Sequence, residues 1–214
     1  MLDFRKPNQA VPAGHKHARN RGIPCWPKRI FKILDLLQIP KILQVLLRLL
    51  THTSVLTAEK LEASGQVLGP EAVQYSKGRI AEGGVMALVF KMNGDRAMTL
   101  FHTINLPAKG HHSRGHLKLL VSEMVHVKQF EKVGSVYPAQ ALRAQKTEGY
   151  KYGGWQGLAK KLPGGKRFSD FNHEQEGHIA QDYYDDVLTA DPPSTDEQKQ
   201  AFEPYIADLQ AGIL

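Results

Sequence analysis

Strand-like text is confined to residues 75–106 of this 214-residue chain, and the text C-terminal of it reads as helix or loop. The runs VQYSKGRIAE, VMALVFKMNG and RAMTLFHTINLP are rich in β-branched and aromatic residues, with Gly83-Gly84 and Asn93-Gly94 marking turns between them. Before them, a helix AEKLEASGQVLG is expected, capped by Thr57 and ended by Gly69 and Pro70. After them, HLKLLVSEMVHVKQFEKV (116–133) places Leu117, Leu120, Met124 and Val127 on one helical face and stops at Gly134. Further helices are expected over 137–147, around 155–161 and from an N-cap at Asn172. Strands first and helices afterwards give an α+β fold with a small antiparallel or mixed sheet, not an alternating βαβ chain.

Charge divides the chain differently. Residues 1–56 carry ten basic and two acidic side chains, and residues 170–214 carry one basic and eleven acidic, so the net charge of +7 conceals two opposed ends. The expected organisation is a basic arm over 1–52, a folded domain over 53–190 and an acidic tail over 191–214 with one short helix. The basic front either docks on the acidic back or binds an anionic partner. Nucleic acid is disfavoured, since no aromatic residues interleave the basic ones and no RNP or Cys/His finger pattern occurs. The start, MLDFRKPNQAVPAGHKHARN, has no apolar core, so the expectation is a cytoplasmic protein or one secreted without a Sec signal peptide. Cys25 is the one cysteine, which excludes an internal disulfide and a Cys-rich zinc module; between two prolines it reads as inert.

The most apolar stretch is RIFKILDLLQIPKILQVLLRLL, residues 29–50. Lys32, Asp35, Lys41, Arg48 and Pro40 interrupt it, which argues against a transmembrane span. Two amphipathic helices over 29–39 and 41–50, hinged at Pro40, are expected. Their apolar sides are expected to pack on the protein's own core, with a membrane surface or a partner protein as the alternative.

The chemistry-bearing candidate lies inside the 116–133 helix. In the metallopeptidase pattern HExxH, two histidines four apart share a helix face and bind zinc, while the Glu between them serves as general base. Here Glu123 and His126 stand in register, and Ser122 occupies the first histidine position. Alone, Glu-x-x-His decides nothing: eleven Glu and ten His in this chain give about half a match by chance.

Its surroundings add context. AMTLFHTINLP, then HLKLLVSEMVHVKQFEKVGSVYPAQALRAQKTEGYKYGG, then FSDFNHEQEGHIAQDYYDD resemble a family of bacterial zincin-like metallopeptidase domains found alone or near type VI secretion and Rhs/Vgr-type modules. Members read something like LLVHELTHVWQ where this chain reads LLVSEMVHVKQ, and the resemblance runs from about Leu56 to Asp186. It implies a zincin-like fold with the 116–133 helix as active-site helix, zinc as cofactor, a peptide or protein substrate and a secretion-system partner. His126 is then a zinc ligand and Glu123 the general base. Glu148 is expected as the third ligand, and Tyr150 or Tyr152 as a hydrogen-bond donor to the oxyanion. Ser122 departs from the pattern, because a neutral hydroxyl is a poor zinc donor. Against apparent structural-zinc affinities of about 10–16 kcal/mol, the missing ligand should cost several. The expectation is therefore a zinc-metallopeptidase-like protein, weakly active or inactive: a pseudoenzyme, or one with relocated ligands. The alternatives are a non-catalytic zincin-fold module of a secretion or toxin system, and a binder of anionic partners through the arm.

Other histidines are weaker candidates. His111, His112 and His116 could substitute as a metal cluster or simply line a solvated loop, and His102 reads as structural. His173 and His178 are five apart, rotated by roughly 140° on a helix, and do not converge; their segment reads as a solvated face with Ile179 and Tyr183 turned inward.

Overall fold

The computed structural model describes residues 25–92, 94, 96–107 and 116–214. Within them lie α1 (Cys25–Leu36), α2 (Ile39–Leu49), β1 (Thr53–Val55), α3 (Ala58–Leu68), β2 (Arg79–Glu82), α4 (Ala87–Met92), β3 (Met98–Leu100) and β4 (Thr103–Leu106). Then follow α5 (Leu117–Val133), α6 (Tyr137–Thr147), α7 (Gly154–Lys161), α8 (His173–Tyr183) and α9 (Asp196–Gln210). The fold is α+β, with a four-stranded mixed sheet in the order β1-β2-β4-β3; β2 and β4 run parallel and the outer pairs antiparallel.

Three sequence expectations about the sheet change, the first because β1 (Thr53–Val55), which pairs with β2, lies outside the 75–106 stretch read as strands. The run VMALVFKM, read as a strand, forms a 3-10 turn (Gly84–Met86) and the helix α4. RAMTLFHTINLP, read as one strand, folds back on itself: Leu100 pairs with Thr103, and Phe101 takes φ 57 in the turn. Nothing in the local sequence favours a left-handed residue there. Phe101 is held by burial and by an edge contact with Phe130 at 5.0 Å, so tertiary packing overrides turn propensity.

The pleat sorts the sheet into two faces. Ile80, Ile104 and Leu106 face α5, and Thr99, paired with Ile104, faces it too. The other face presents Ala81, Thr103 and Asn105 to α2. α5 is the central helix: its residues from Leu120 to Gln129 are all buried. Around it, Met124, Leu158, Phe168, Ile179, Phe202 and Leu209 share one core. α9 is thus more than a short helix in a tail; over 15 residues it buries Phe202, Tyr205 and Leu209 against α3 and α7. Asp208 on it receives Arg167 through two hydrogen bonds and the backbone N–H of Phe168 at 3.1 Å. The acidic end is therefore engaged in the core, and the arm residues 1–24 that were candidates to dock on it lie outside the described residues.

The α1–α2 hairpin reverses its expected orientation. The chain breaks at Gln38 (φ 57), not at Pro40, because a proline is tolerated in the first turn, where its missing N–H has no helical partner. α2 meets the sheet through its polar side. Arg48 donates to Thr103 Oγ1 at 2.9 Å, to the Lys77 carbonyl at 2.9 Å and to the His102 carbonyl at 3.0 Å. Gln44 Oε1 accepts from the His102 N–H at 2.9 Å. On α1, Asp35 accepts from the Ser135 N–H at 3.0 Å, just beyond Gly134, whose φ of 72 ends α5. The sheet face beneath α2 is polar, so a polar helix face satisfies it and the aliphatic face turns outward.

α8 begins as expected at Asn172, whose side chain accepts from the Gln175 N–H at 2.9 Å while Gln175 reaches back to the Asn172 N–H at 3.3 Å. Asn172→Ala is expected to lower stability by about 1 kcal/mol, measured as a shift in the urea midpoint at unchanged slope.

Candidate functional site

The longest helix–helix contact, between α5 and α8, brings together the residues with the most distinctive chemistry. α5 contributes Ser122, Glu123, His126 and Gln129, all buried. α8 contributes His173, Glu174, Glu176 and Gly177, also buried. The segment read as a solvated face is therefore interior. Gly177 explains how: a Cβ there would sit 2.8 Å from Ser122 Oγ and 3.2 Å from His126 Nε2, so only glycine lets the helices approach this closely.

Gln129 orders the cluster. Its amide nitrogen donates to Glu176 Oε2 at 2.6 Å and to the His173 carbonyl at 3.1 Å. Its oxygen is then the acceptor for His126 Nδ1 at 2.8 Å, which places a proton on Nδ1. His126 Nε2 faces Glu174 Oε2 across 3.9 Å. Glu174 also receives Gln145 Nε2 at 3.2 Å and the Tyr150 hydroxyl. Glu123 lies to one side, its Oε2 accepting from Thr99 Oγ1 of β3 at 2.6 Å.

The charges of this cluster are set by burial against pairing. Desolvation opposes a proton on His126 as the largest single effect; Glu174, Glu123, the Gln129 bond and Glu176 together outweigh it and raise the imidazole pKa above 6.5. Burial raises the Glu123 carboxyl, against the pull of His126 and Thr99. On the rim, His178 is lowered by burial, and its ring lies 4.9 Å from that of Tyr150. Burial raises the Tyr150 phenol, whose oxygen accepts from Arg96 at 3.2 Å.

Of the residues singled out from sequence, Ser122, Glu123 and His126 share this buried cluster and Tyr150 borders it. Glu148, expected as a third ligand, does not join them. It caps the end of α6, is exposed, and accepts from Asn172 Nδ2 at 3.3 Å. Tyr152 donates instead to Asp182 at 2.5 Å. His102 pairs with Glu131 at 2.8 Å, His116 precedes α5 as its N-cap, and His111 and His112 lie outside the described residues. The residues missed from sequence are Glu174, Gln129 and Thr99. A glycine among polar residues in mid-helix was the available signal for Glu174, since it marks a close approach.

An ion held at about 2.0–2.2 Å by both His126 and Glu174 could bridge their 3.9 Å separation. Among the described residues no group of three His, Cys, Asp or Glu side chains could hold a metal ion. No family model matches the chain, and neither a curated protein nor a solved structure matches it.

Gly177→Ala would ordinarily favour the helix by about 0.5–1 kcal/mol. Here it is expected to destabilise by roughly 1–3 kcal/mol, with Ser122→Gly restoring part of the loss in the double variant, as urea denaturation would measure. A raised folded pKa makes the His126 contribution to stability full below pH 6.5 and lost as pH rises through the higher folded value. NMR titration should therefore find the His126 ring above 6.5 and place it lower in Glu174→Gln, with a shallower fall of stability from pH 6 upward.

Proposed function

We propose that this chain is a zincin-like domain that has exchanged its metal for an internal ion pair and acts as a non-hydrolytic module. The approach of Ser122 and His126 to Gly177, with Glu174 Oε2 3.9 Å from His126 Nε2, carries this reading. Two ligand positions of an HExxH-type site and a downstream carboxylate meet at one place, and the first of them is a hydroxyl. Glu174 is the carboxylate in the third position, on a helix locked to α5, where Glu148 is not.

Two features favour a binding role over hydrolysis. His126 has Glu174 and Gln129 as partners in place of an ion, so both ring nitrogens face protein groups without metal. The recess beside Glu123, lined by Ile80, Ile104, Leu106, His116, Leu119 and Leu120, has a cavity volume of about 10 Å³, far below the roughly 300–1,000 Å³ of ordinary ligand sites. Zinc binding is then weak or absent. The module's partner is a peptide or protein, such as a component of a secretion or toxin system, in the cytoplasm or exported without a Sec signal.

Elemental mass spectrometry on protein purified without added metal or chelator is expected to find far less than one zinc per chain. Ser122→His supplies the missing nitrogen and should raise this to about one. Adding Glu174→Gln to that variant should remove the metal again, whereas adding Glu148→Gln should not. One zinc per chain in the native protein, or casein cleavage by it, would overturn the reading.

A further inference from the structure

The aliphatic face of the α1–α2 hairpin has no use in the cluster between α5 and α8. Between Ile30 and Leu50, eleven large aliphatic side chains are exposed, Leu36 at 80% and Leu49 at 76%. On α2 they fall on one side: at about 100° per residue, Ile42, Leu46 and Leu49 lie opposite Gln44 and Arg48, the residues that fasten the helix to the sheet. The face is thus held outward by three Arg48 hydrogen bonds and the Gln44 bond, not left over from poor packing. Scattered exposed leucines are ordinary, but a contiguous stripe of this kind marks an interaction surface.

Its border has one sign of charge. Arg29, Lys32 and Lys41 are exposed on the hairpin, while its one acidic residue, Asp35, is turned inward onto Ser135. In sequence, the 24 residues that precede α1 carry Arg5, Lys6, Lys16, Arg19 and Arg21 against the single acid Asp3. A second copy of the chain on this face would set these cations against each other. Nucleic acid would leave the aliphatic stripe in water. An anionic bilayer surface accepts both parts, because aliphatic side chains enter the headgroup–acyl boundary while lysine and arginine meet the phosphates. Among the described residues no helix is long and apolar enough to cross a membrane, so the hairpin would lie in the interface and not span it.

We propose that the α1–α2 hairpin is a membrane-docking element that lays its aliphatic face, rimmed by Arg29, Lys32 and Lys41, on anionic phospholipid. The docking places the α5–α8 cluster on the cytosol- or solvent-facing side of the sheet, since α2 and α5 cover opposite sheet faces.

The test is flotation of the 214-residue chain with phosphatidylcholine vesicles containing about one quarter phosphatidylglycerol, beside pure phosphatidylcholine vesicles and light scattering for oligomeric state. Binding to the anionic vesicles is expected, with at least a tenfold loss, roughly, in Leu43→Glu/Leu46→Glu. Weaker binding is expected in Lys32→Glu/Lys41→Glu, at about 0.5 M salt and on pure phosphatidylcholine. Both pairs are exposed, so circular dichroism should find the variants folded. Failure to bind anionic vesicles, or binding indifferent to Leu43→Glu/Leu46→Glu, overturns the proposal. So does a dimer abolished by that variant in a chain that does not float, which would assign the face to a second copy.

Discussion

Glycine at position 177 lets two polar helix faces meet in the dry centre of the molecule, and the rest of the arrangement follows from that contact. Once α8 lies against α5 at this distance, Glu174, Glu176, Glu123, His126 and His173 lose their water together. A buried charge without a partner is costly, and removing one member of a buried pair costs about 3–5 kcal/mol because the other is left exposed to the apolar interior. The cluster therefore has to be complete. Gln129 completes it by joining His126 on α5 to Glu176 and the His173 carbonyl on α8. Thr99 completes it on the sheet side by bonding Glu123. The sheet, the central helix and α8 are locked through polar groups as well as through the Met124 and Ile179 core.

The same accounting explains the unusual orientation of the α1–α2 hairpin. The sheet face away from α5 ends in Thr103 and Asn105, with the His102 backbone beside it. Asn105 is satisfied within the sheet by the Met98 and Thr103 carbonyls, but an aliphatic helix face set there would strand the Thr103 hydroxyl and the His102 backbone, which Arg48 and Gln44 bond. Burial holds the Arg48 guanidinium down at about 10, a sign of how far it is withdrawn from water. Covering the sheet in this way leaves the aliphatic face in solvent. An interior polar requirement thus creates an exterior apolar surface, and the two proposals concern opposite sides of one sheet.

Much of the architecture was legible beforehand. The bounds of α3 and α6, the course of α5 to its Gly134 cap, and the Asn172 start of α8 follow from periodicity and capping chemistry, which act over a few residues. The sheet was less legible. Phe101 turns a continuous β-like run into a hairpin because Phe130, 29 positions away, receives it, and no turn residue announces this. The candidate site divides in the same way. Ser122, Glu123 and His126 lie within one helical turn and could be grouped by spacing alone. Glu174 could not, since its nearness to His126 depends on which face of α8 the glycine turns inward.

By itself, then, the sequence determined what local forces decide: an α+β order of elements, the limits of α3 and α6, the Gly134 and Asn172 caps and the motif on α5. Tertiary structure decided which carboxylate faces His126, that the acidic C-terminal helix belongs to the core, and which side of α2 meets the sheet. The physical reason is range. Capping, periodicity and turn chemistry are settled between neighbours, whereas desolvation is settled by whatever the rest of the chain places on top.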